Sequence, residues 1–202
     1  MKELALHIMD VMQNSITAGS SVISVSISTC DNNSLLEIIV EDDGCGMDEE
    51  TLKNATDPFH TSRTTRMVGL GLPMFKAAAI MTGGDFALES KEGKGTSLKA
   101  VFVNDSLDRQ PLGNLGNVFF LTMLSYETLE LRLKLSAGKE SFTFNSVEFT
   151  YDCKENGKSS MDAAFEAEAY INEQINIIFK DILPEVGGEL HEVKRSSKAY
   201  QR

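Results

Sequence analysis

Hydrophobic spacing at the start of the chain predicts one helix followed by two strands. Residues 3–18 carry apolar side chains three and four positions apart and are followed by Gly19, a residue favoured just after a helix. Residues 21–29 alternate apolar side chains with serines, which is the pattern of a strand with one buried face. Residues 35–40 are almost continuously apolar and predict a second strand that ends near Asp42.

The predicted first helix carries a polar stripe opposite its apolar face. His7, Asp10 and Asn14 are three and four residues apart, so they share one side of the helix. Such a stripe usually faces solvent, but it can also line a binding site. Periodicity alone leaves both interpretations open.

The stretch after the second predicted strand, residues 41–47, places carboxylates beside glycines. Gly44 and Gly46 have no Cβ, so the backbone there can take positive φ and a flat ligand can approach closely. Asp42 can then point at that ligand. The alternative is a tight hairpin, because Asp-Gly is a strong hairpin signal. A short helix is predicted to begin near Asp48.

A basic, hydroxyl-rich segment precedes a glycine pair. Residues 59–68 contain two arginines and four hydroxyl side chains, and in an acidic chain this composition indicates an anion-contacting surface. Gly69 and Gly71 lead directly into a predicted helix that ends near residue 81. The backbone N–H groups at such a helix start commonly bind phosphate, although a glycine pair can also serve only to begin the helix.

Two further strands complete the first half of the chain. Residues 85–90 and 96–103 carry alternating apolar side chains and are joined by a short turn that contains glycine. Together with the preceding elements they predict a compact α/β domain over residues 1–104.

The second half, residues 105–202, is predicted to be a small α+β domain that begins with a linker or a sharp re-entry of the chain over residues 107–116. Apolar and charged residues alternate over residues 129–135 and predict the first strand of a hairpin. Aromatic side chains over residues 142–151 predict the partner strand, with a bulge where the alternation slips. Residues 159–183 have the apolar spacing of a long helix, and a basic tail begins at about Lys194.

Composition narrows the classes of partner. The formal net charge is −11 at pH 7 and the pI is near 4.7, which argues against nucleic acid or an anionic membrane as the main partner. No run of about 18 apolar residues is present. The three cysteines are far apart in the sequence and show no CxxC spacing, so free thiols are expected. We therefore expect a soluble, cytoplasmic protein.

Four blocks of the first half together resemble the GHKL ATP-binding superfamily, which includes gyrase-type, chaperone-type, histidine-kinase and mismatch-repair ATPases. Residues 10–15 with 18–19 are similar to its N box, residues 42–47 to its first glycine box, residues 69–72 to its second, and residues 93–96 to its last. The resemblance implies the Bergerat fold, an α/β (α+β) two-layer sandwich with a mixed sheet on one side and helices on the other.

The resemblance also implies a role for each matching residue in a Mg-ATP site. Asp42 would accept a hydrogen bond from the adenine amino group, with Thr96 at the same end. Asn14 would offer its side-chain oxygen to Mg²⁺. The other nucleotide-binding residues would be Gly44, Gly46, Met47, Phe59, Thr61, Arg63, Arg66, Gly69, Leu70, Gly71 and Leu72.

Two departures from the family pattern concern the phosphate end. Asp10 stands where mismatch-repair and gyrase members place a catalytic Glu, and its side chain is one methylene shorter, so hydrolysis is expected to be slow or to need a rearranged water. Residues 57–71 would form a lid hinged at Phe59. The second glycine box has Met67 in place of its usual first glycine, so an altered lid geometry is expected.

Three functions are compatible with these motifs. Nine residues precede Asp10 in this sequence, and a sensor histidine kinase would need an upstream helix pair carrying its phosphoacceptor histidine. We therefore expect a regulatory kinase acting in trans, or an ATP-dependent switch, without its own phosphoacceptor domain. His7 is expected to pack at the pocket edge rather than accept phosphate, since it lies on the N-box helix.

The alternatives differ in the step that nucleotide binding leads to. One is an ATPase whose lid closure drives homodimerisation or a conformational change, as the resemblance of the N box to that of mismatch-repair ATPases implies. The other is a sensor that binds ATP or ADP without hydrolysis and contacts a protein partner through residues 105–202.

Overall fold

A computed structural model describes residues 3–57, 71–180 and 182–183 of the chain. The predicted helices over residues 3–18 and 159–183 are confirmed with slightly shorter bounds. In chain order the elements are α1 (Leu4–Thr17), β1 (Val22–Cys30), β2 (Leu35–Asp42), α2 (Glu49–Asn54), α3 (Gly71–Met81), β3 (Asp85–Lys91), β4 (Gly95–Val103), α4 (Leu115–Ser125), β5 (Glu130–Ala137), β6 (Glu140–Asn145), α5 (Ser146–Glu155) and α6 (Ser160–Phe179).

The strands form one mixed sheet. Over the described residues its order is β3-β4-β2-β1-β5-β6. Neighbouring strands are antiparallel except for β1 and β5, which are parallel. The mixed sheet expected from the family resemblance is thus confirmed.

One face of the sheet is buried and the other faces solvent. Ile23, Val25 and Ile27 of β1 are buried, whereas the serines between them are partly exposed. In the strand register Val25 lies opposite Val40 and Leu133, which are also buried, so the apolar side chains of neighbouring strands share one face. Buried residues of α1, α3, α4 and α6 join the same hydrophobic core. The predicted two-layer sandwich is therefore confirmed.

The sheet continues from the first half of the chain into the second. The parallel pairing of β1 with β5 runs from Val22 opposite Glu130 to Ser28 opposite Ser136. Leu131, a β5 residue, belongs to the same core cluster as the residues of β1. A domain boundary at residue 104 stays a prediction; the two halves share a sheet and a core.

The predicted second strand of the hairpin is wrong beyond Asn145. Residues 146–155 form α5, because the Asn145 side chain accepts hydrogen bonds from the N–H groups of Val147 and Glu148 and so begins a helix. The slip in the alternation is thus a helix N-cap and not a bulge.

Helix α4 received no prediction, and the predicted linker over residues 107–116 overlaps its start. Asn114 caps α4 by accepting a hydrogen bond from the N–H of Asn117. Leu115, Val118 and Phe119 are buried at helical spacing against the core. None of the helices in the described ranges combines the length and the hydropathy that a bilayer-spanning segment needs.

Candidate nucleotide site

The Asp42 carboxylate at the end of β2 is held by a hydrogen bond on each oxygen. Ser15 Oγ of α1 donates to Oδ2 over 2.6 Å, and the Gly44 N–H donates to Oδ1 over 2.9 Å. The strand does not turn back after this residue, because β2 pairs only with β1 and β4 among the described strands. The hairpin alternative for this Asp-Gly stretch is therefore wrong.

The neighbouring Asp43 binds the start of β1 instead of facing the site. Its carboxylate accepts hydrogen bonds from the Ser21 hydroxyl and from the N–H groups of Ser21 and Val22. The Ser21 hydroxyl contributes most to lowering the pKa of Asp43. Asp43 thus ties the start of β1 to the end of β2, which leaves Asp42 as the carboxylate beside the site.

Gly44 and Gly46 are required by the packing of the chain against itself. A Cβ on Gly44 would lie 2.7 Å from Ser20 Oγ and 2.9 Å from Ala18 Cβ. Gly46 has a φ of +66°, and a Cβ there would lie 2.1 Å from the carbonyl oxygen of Lys91. The first glycine box is therefore pressed against the end of α1 on one side and the β3–β4 turn on the other.

Ser90 connects this glycine box to Thr96. Its Oγ accepts a hydrogen bond from the Met47 N–H over 2.9 Å, donates to the Gly95 carbonyl over 2.9 Å and lies 3.0 Å from Thr96 Oγ1. Because Ser90 has one hydroxyl proton and gives it to Gly95, Thr96 donates its own proton to Ser90. Ser90 was not predicted, because a serine in a strand carries no local signal.

Asp42 and Thr96 meet at one end of the candidate site, as the family resemblance implies. They are directly opposite each other in the register of β2 and β4. A surface cavity of about 350 Å³ opens beside them and is also lined by Ser90. Charged side chains of both signs surround it, including Glu41 and Lys94.

The residues predicted for the phosphate end lie where α1 meets the start of α3. A Cβ on Gly71 would lie 3.0 Å from Asp10 Cβ and 3.3 Å from its Oδ2, so the Asp10 side chain packs against the first residue of α3. Partial burial raises the pKa of Asp10. Asn14 is exposed one turn further along α1. Leu72 of α3 is half-buried and packs against the core.

The polar stripe of α1 therefore runs from the core to the surface. His7 is buried, and its ring stacks on Phe75 with 5.0 Å between centroids. Its Nε2 donates to Gln110 Oε1 over 2.9 Å. Burial lowers the pKa of His7, and the hydrogen bond to Gln110 partly opposes this effect.

Several predicted nucleotide-binding residues lie outside the described residues. These are the lid and second-glycine-box positions Phe59, Thr61, Arg63, Arg66, Gly69 and Leu70. Their roles stay predictions.

The residues that could bind a metal ion suit an ion that arrives together with a nucleotide. No group of three His, Cys, Asp or Glu side chains that could hold a metal is found in the described part of the chain. Asn14 offers one exposed amide oxygen at the end of the site where phosphates are expected. Mg²⁺ commonly takes one or two protein oxygens together with substrate phosphates and water, so the residues present fit such an ion.

Comparisons with known proteins place this site in a family context. A protein of Shewanella frigidimarina named as a sensor protein is 33% identical over 105 residues, covering 50% of this chain and 16% of the relative. Sporulation kinase C of Bacillus subtilis is 34% identical over 92 residues, covering 46% and 21%. Histidine protein kinase DivJ of Caulobacter vibrioides is 32% identical over 78 residues, covering 37% and 13%. The matched segments thus span about a fifth or less of these relatives.

A solved N-terminal domain of a DNA repair protein aligns with a TM-score of 0.47 and 13% identity, over 71% of this chain and 52% of that chain. The family described as histidine kinase-, DNA gyrase B- and HSP90-like ATPase matches residues 2–105. The matched region is just over half of the 202 residues and contains Asp10, Asn14, Asp42 and Thr96. The chain therefore belongs to the histidine kinase-, DNA gyrase B- and HSP90-like ATPase family.

Proposed function

We propose that this chain binds ATP with Mg²⁺ and acts as a regulatory kinase on a partner protein or as an ATP-dependent switch. The observation that carries the proposal is the Asp42 carboxylate, held by Ser15 and by the Gly44 N–H beside Thr96 and an open cavity. Membership of an ATPase family supports the nucleotide as the ligand.

Where the Asp42 carboxylate meets the C6 position of a purine, its chemistry favours adenine over guanine. Each carboxylate oxygen has two lone pairs and uses one in the hydrogen bonds described, so acceptor capacity remains on both. Adenine carries an amino donor at C6, whereas guanine carries a carbonyl oxygen there, which a carboxylate would repel. A base without a donor at that position leaves the remaining lone pairs of the carboxylate without a partner, which discriminates against that base.

The opposite end of the site would receive the phosphates. Asn14 would hold Mg²⁺, which neutralises phosphate charge when it is bound. Asp10 packs against the first residue of α3, and its raised pKa makes it a better proton acceptor than an ordinary aspartate. We propose Asp10 as the general base for an attacking water or acceptor group.

We also propose that the phosphoacceptor belongs to another protein. The chain has three histidines, and His7, the one that lies in the described part, is buried and hydrogen-bonded to Gln110. Two similar proteins are named as kinases, which supports phosphoryl transfer as the chemistry. The identity of the partner, homodimer formation and a cytoplasmic location remain predictions.

Nucleotide binding is tested at Asp42. Asp42→Asn and Asp42→Ala are expected to lower ATP affinity by about 100-fold or more, because the acceptor for the adenine amino group is changed or lost. Isothermal titration with Mg-ATP provides the measurement. Asp43→Asn, the same change one residue away, is the matched control and is expected to keep affinity within about threefold. Unchanged affinity in both Asp42 variants would contradict the proposal.

The fate of the γ-phosphate separates the candidate functions. With γ-labelled ATP, a kinase transfers label to a co-purifying partner, an ATPase releases free phosphate, and a sensor does neither. Asp10→Asn is expected to slow transfer or release by about 100-fold or more while ATP affinity is retained. Equal rates for wild type and Asp10→Asn would rule out Asp10 as the base.

A further inference from the structure

We propose that Ser15 is a positioning residue that gives the site its selectivity for the adenine amino group. The inference rests on the proposed function, since it assumes that Asp42 meets a purine. Ser15 lies in the N box beside Asn14, yet the family resemblance implied no role for it. Ser15 belongs to α1, is 3% exposed, and its side chain contacts the end of β2.

The single proton of the Ser15 hydroxyl is committed to Asp42. The hydroxyl has two acceptors in reach, Asp42 Oδ2 at 2.6 Å and the Val11 carbonyl at 3.3 Å. Hydrogen bonds from a hydroxyl to a carboxylate are short, typically about 2.5–2.7 Å. The shorter contact therefore takes the proton, and the hydroxyl acts on the carboxylate.

Hydrogen bonds to both oxygens fix the plane of the Asp42 carboxylate. The last torsion of an aspartate is broad, so a carboxylate held at one oxygen can still turn. The Gly44 N–H holds Oδ1, and Ser15 holds Oδ2 from a segment 27 residues away in the chain. Two donors on different oxygens define the direction of the remaining lone pairs. These lone pairs are the groups that an adenine amino group would meet.

A comparison of two nucleotides separates positioning from a general structural role. ATP carries the 6-amino group, whereas purine riboside triphosphate lacks it and is otherwise the same ligand. Ser15→Ala is expected to weaken Mg-ATP binding about tenfold and to leave binding of the analogue within about twofold. The dissociation constant of the analogue divided by that of ATP therefore falls. A loss of folding alone would not change this ratio.

Two further variants complete the test. Ser20→Ala is the matched control, because the Ser20 hydroxyl donates to the Ser15 carbonyl over 2.7 Å and makes no hydrogen bond to Asp42. It is expected to keep the wild-type ratio. Ser15→Cys conserves size but donates weakly, so its ratio is expected between those of wild type and Ser15→Ala. This variant keeps the test decisive where Ser15→Ala does not fold.

The outcomes that overturn the inference are distinct from failure of the proposed function. Equal weakening of both nucleotides in the Ser15 variants, or unchanged binding of both, would show that Ser15 does not set selectivity while Asp42 still meets a purine. A wild-type chain that binds neither nucleotide would overturn the proposed function, and this inference with it.

Discussion

Individual small residues hold the candidate site together. Gly46 presses the first glycine box against the Lys91 carbonyl, and Ser90 joins the Met47 backbone to Thr96. Neither glycine nor serine contributes much apolar burial. Their value lies in close approach and in hydrogen bonds that hold larger groups at fixed distances.

Substitution of Gly46 is expected to be far more harmful than that of Gly93. Both have positive φ, but a Cβ on Gly46 would lie 2.1 Å from Lys91 O, whereas a Cβ on Gly93 would have no described atom within 4 Å. We expect Gly46→Ala to lower the free energy of unfolding by about 2 kcal/mol more than Gly93→Ala does. Urea denaturation measures both. Equal losses would show that backbone conformation alone, rather than crowding, explains the requirement at Gly46.

Among the helices, α1 connects the site with the rest of the molecule. It carries Asp10 and Asn14 at the site, and it contacts α3 through the stacking of His7 on Phe75. The same histidine binds Gln110, in the segment that leads towards α4. Its Nδ1 is buried and has no hydrogen-bond partner among the described residues. Burial lowers the pKa of the His7 ring, which lies between α3 and that segment.

The burial of His7 predicts a pH-dependent stability. Because its pKa is lowered in the folded state, the unfolded state binds more protons below about pH 6.5. The stability contributed by neutral His7 is thus present above about pH 6.5 and is lost as the pH falls below it. We expect wild type to lose more stability than His7→Phe between about pH 7.5 and 5.5, as measured by urea denaturation.

The comparison with His7→Phe isolates this histidine. The other two histidines are present in both proteins, so any contribution from them cancels in the difference. The raised pKa of Asp10 changes the stability in the opposite direction, because folding disfavours the charged carboxylate as the pH rises above the usual pKa range of an aspartate. This contribution is present in both proteins and also cancels in the difference. Identical pH dependence in the two proteins would contradict the prediction.

For the molecule as a whole, the continuous sheet couples the two halves. β5 covers the edge of β1, and α4 and α6 supply buried residues to the core that α1 and α3 also cover. Removal of the second half would leave β1 with an unpaired edge and an uncovered apolar face. The ATPase-family region alone is therefore expected to be incomplete as a folding unit.

A chain ending at residue 104 tests this coupling. We expect it to aggregate or to lose cooperative unfolding, because an edge strand and part of the core become exposed. Size-exclusion chromatography and urea denaturation provide the measurements. A chain ending at residue 183, which retains every described element, is the control. Cooperative unfolding of the shorter chain with full-length stability would instead support an independent domain over residues 1–104.

Local sequence patterns by themselves determined most of the helices and strands and the residues that mark the family. The alternation in β1 and β5 and the helical spacing in α1 and α6 arise from the burial of one face, so a short window of sequence shows them. The family boxes determined Asp42 and Thr96 as a pair. The same local approach failed at Asn145, where an N-cap resembled a slip in a strand.

Only the tertiary structure decided which distant groups meet. The bond of Ser15 to Asp42, the contacts of Ser90 with Met47 and Thr96, and the parallel pairing of β5 with β1 join segments that no local pattern relates. Periodicity reports which side of an element is buried, and it carries no information about the neighbour that covers that side. The orientation of Asp42, on which the proposed adenine selectivity depends, is therefore a property of the folded chain.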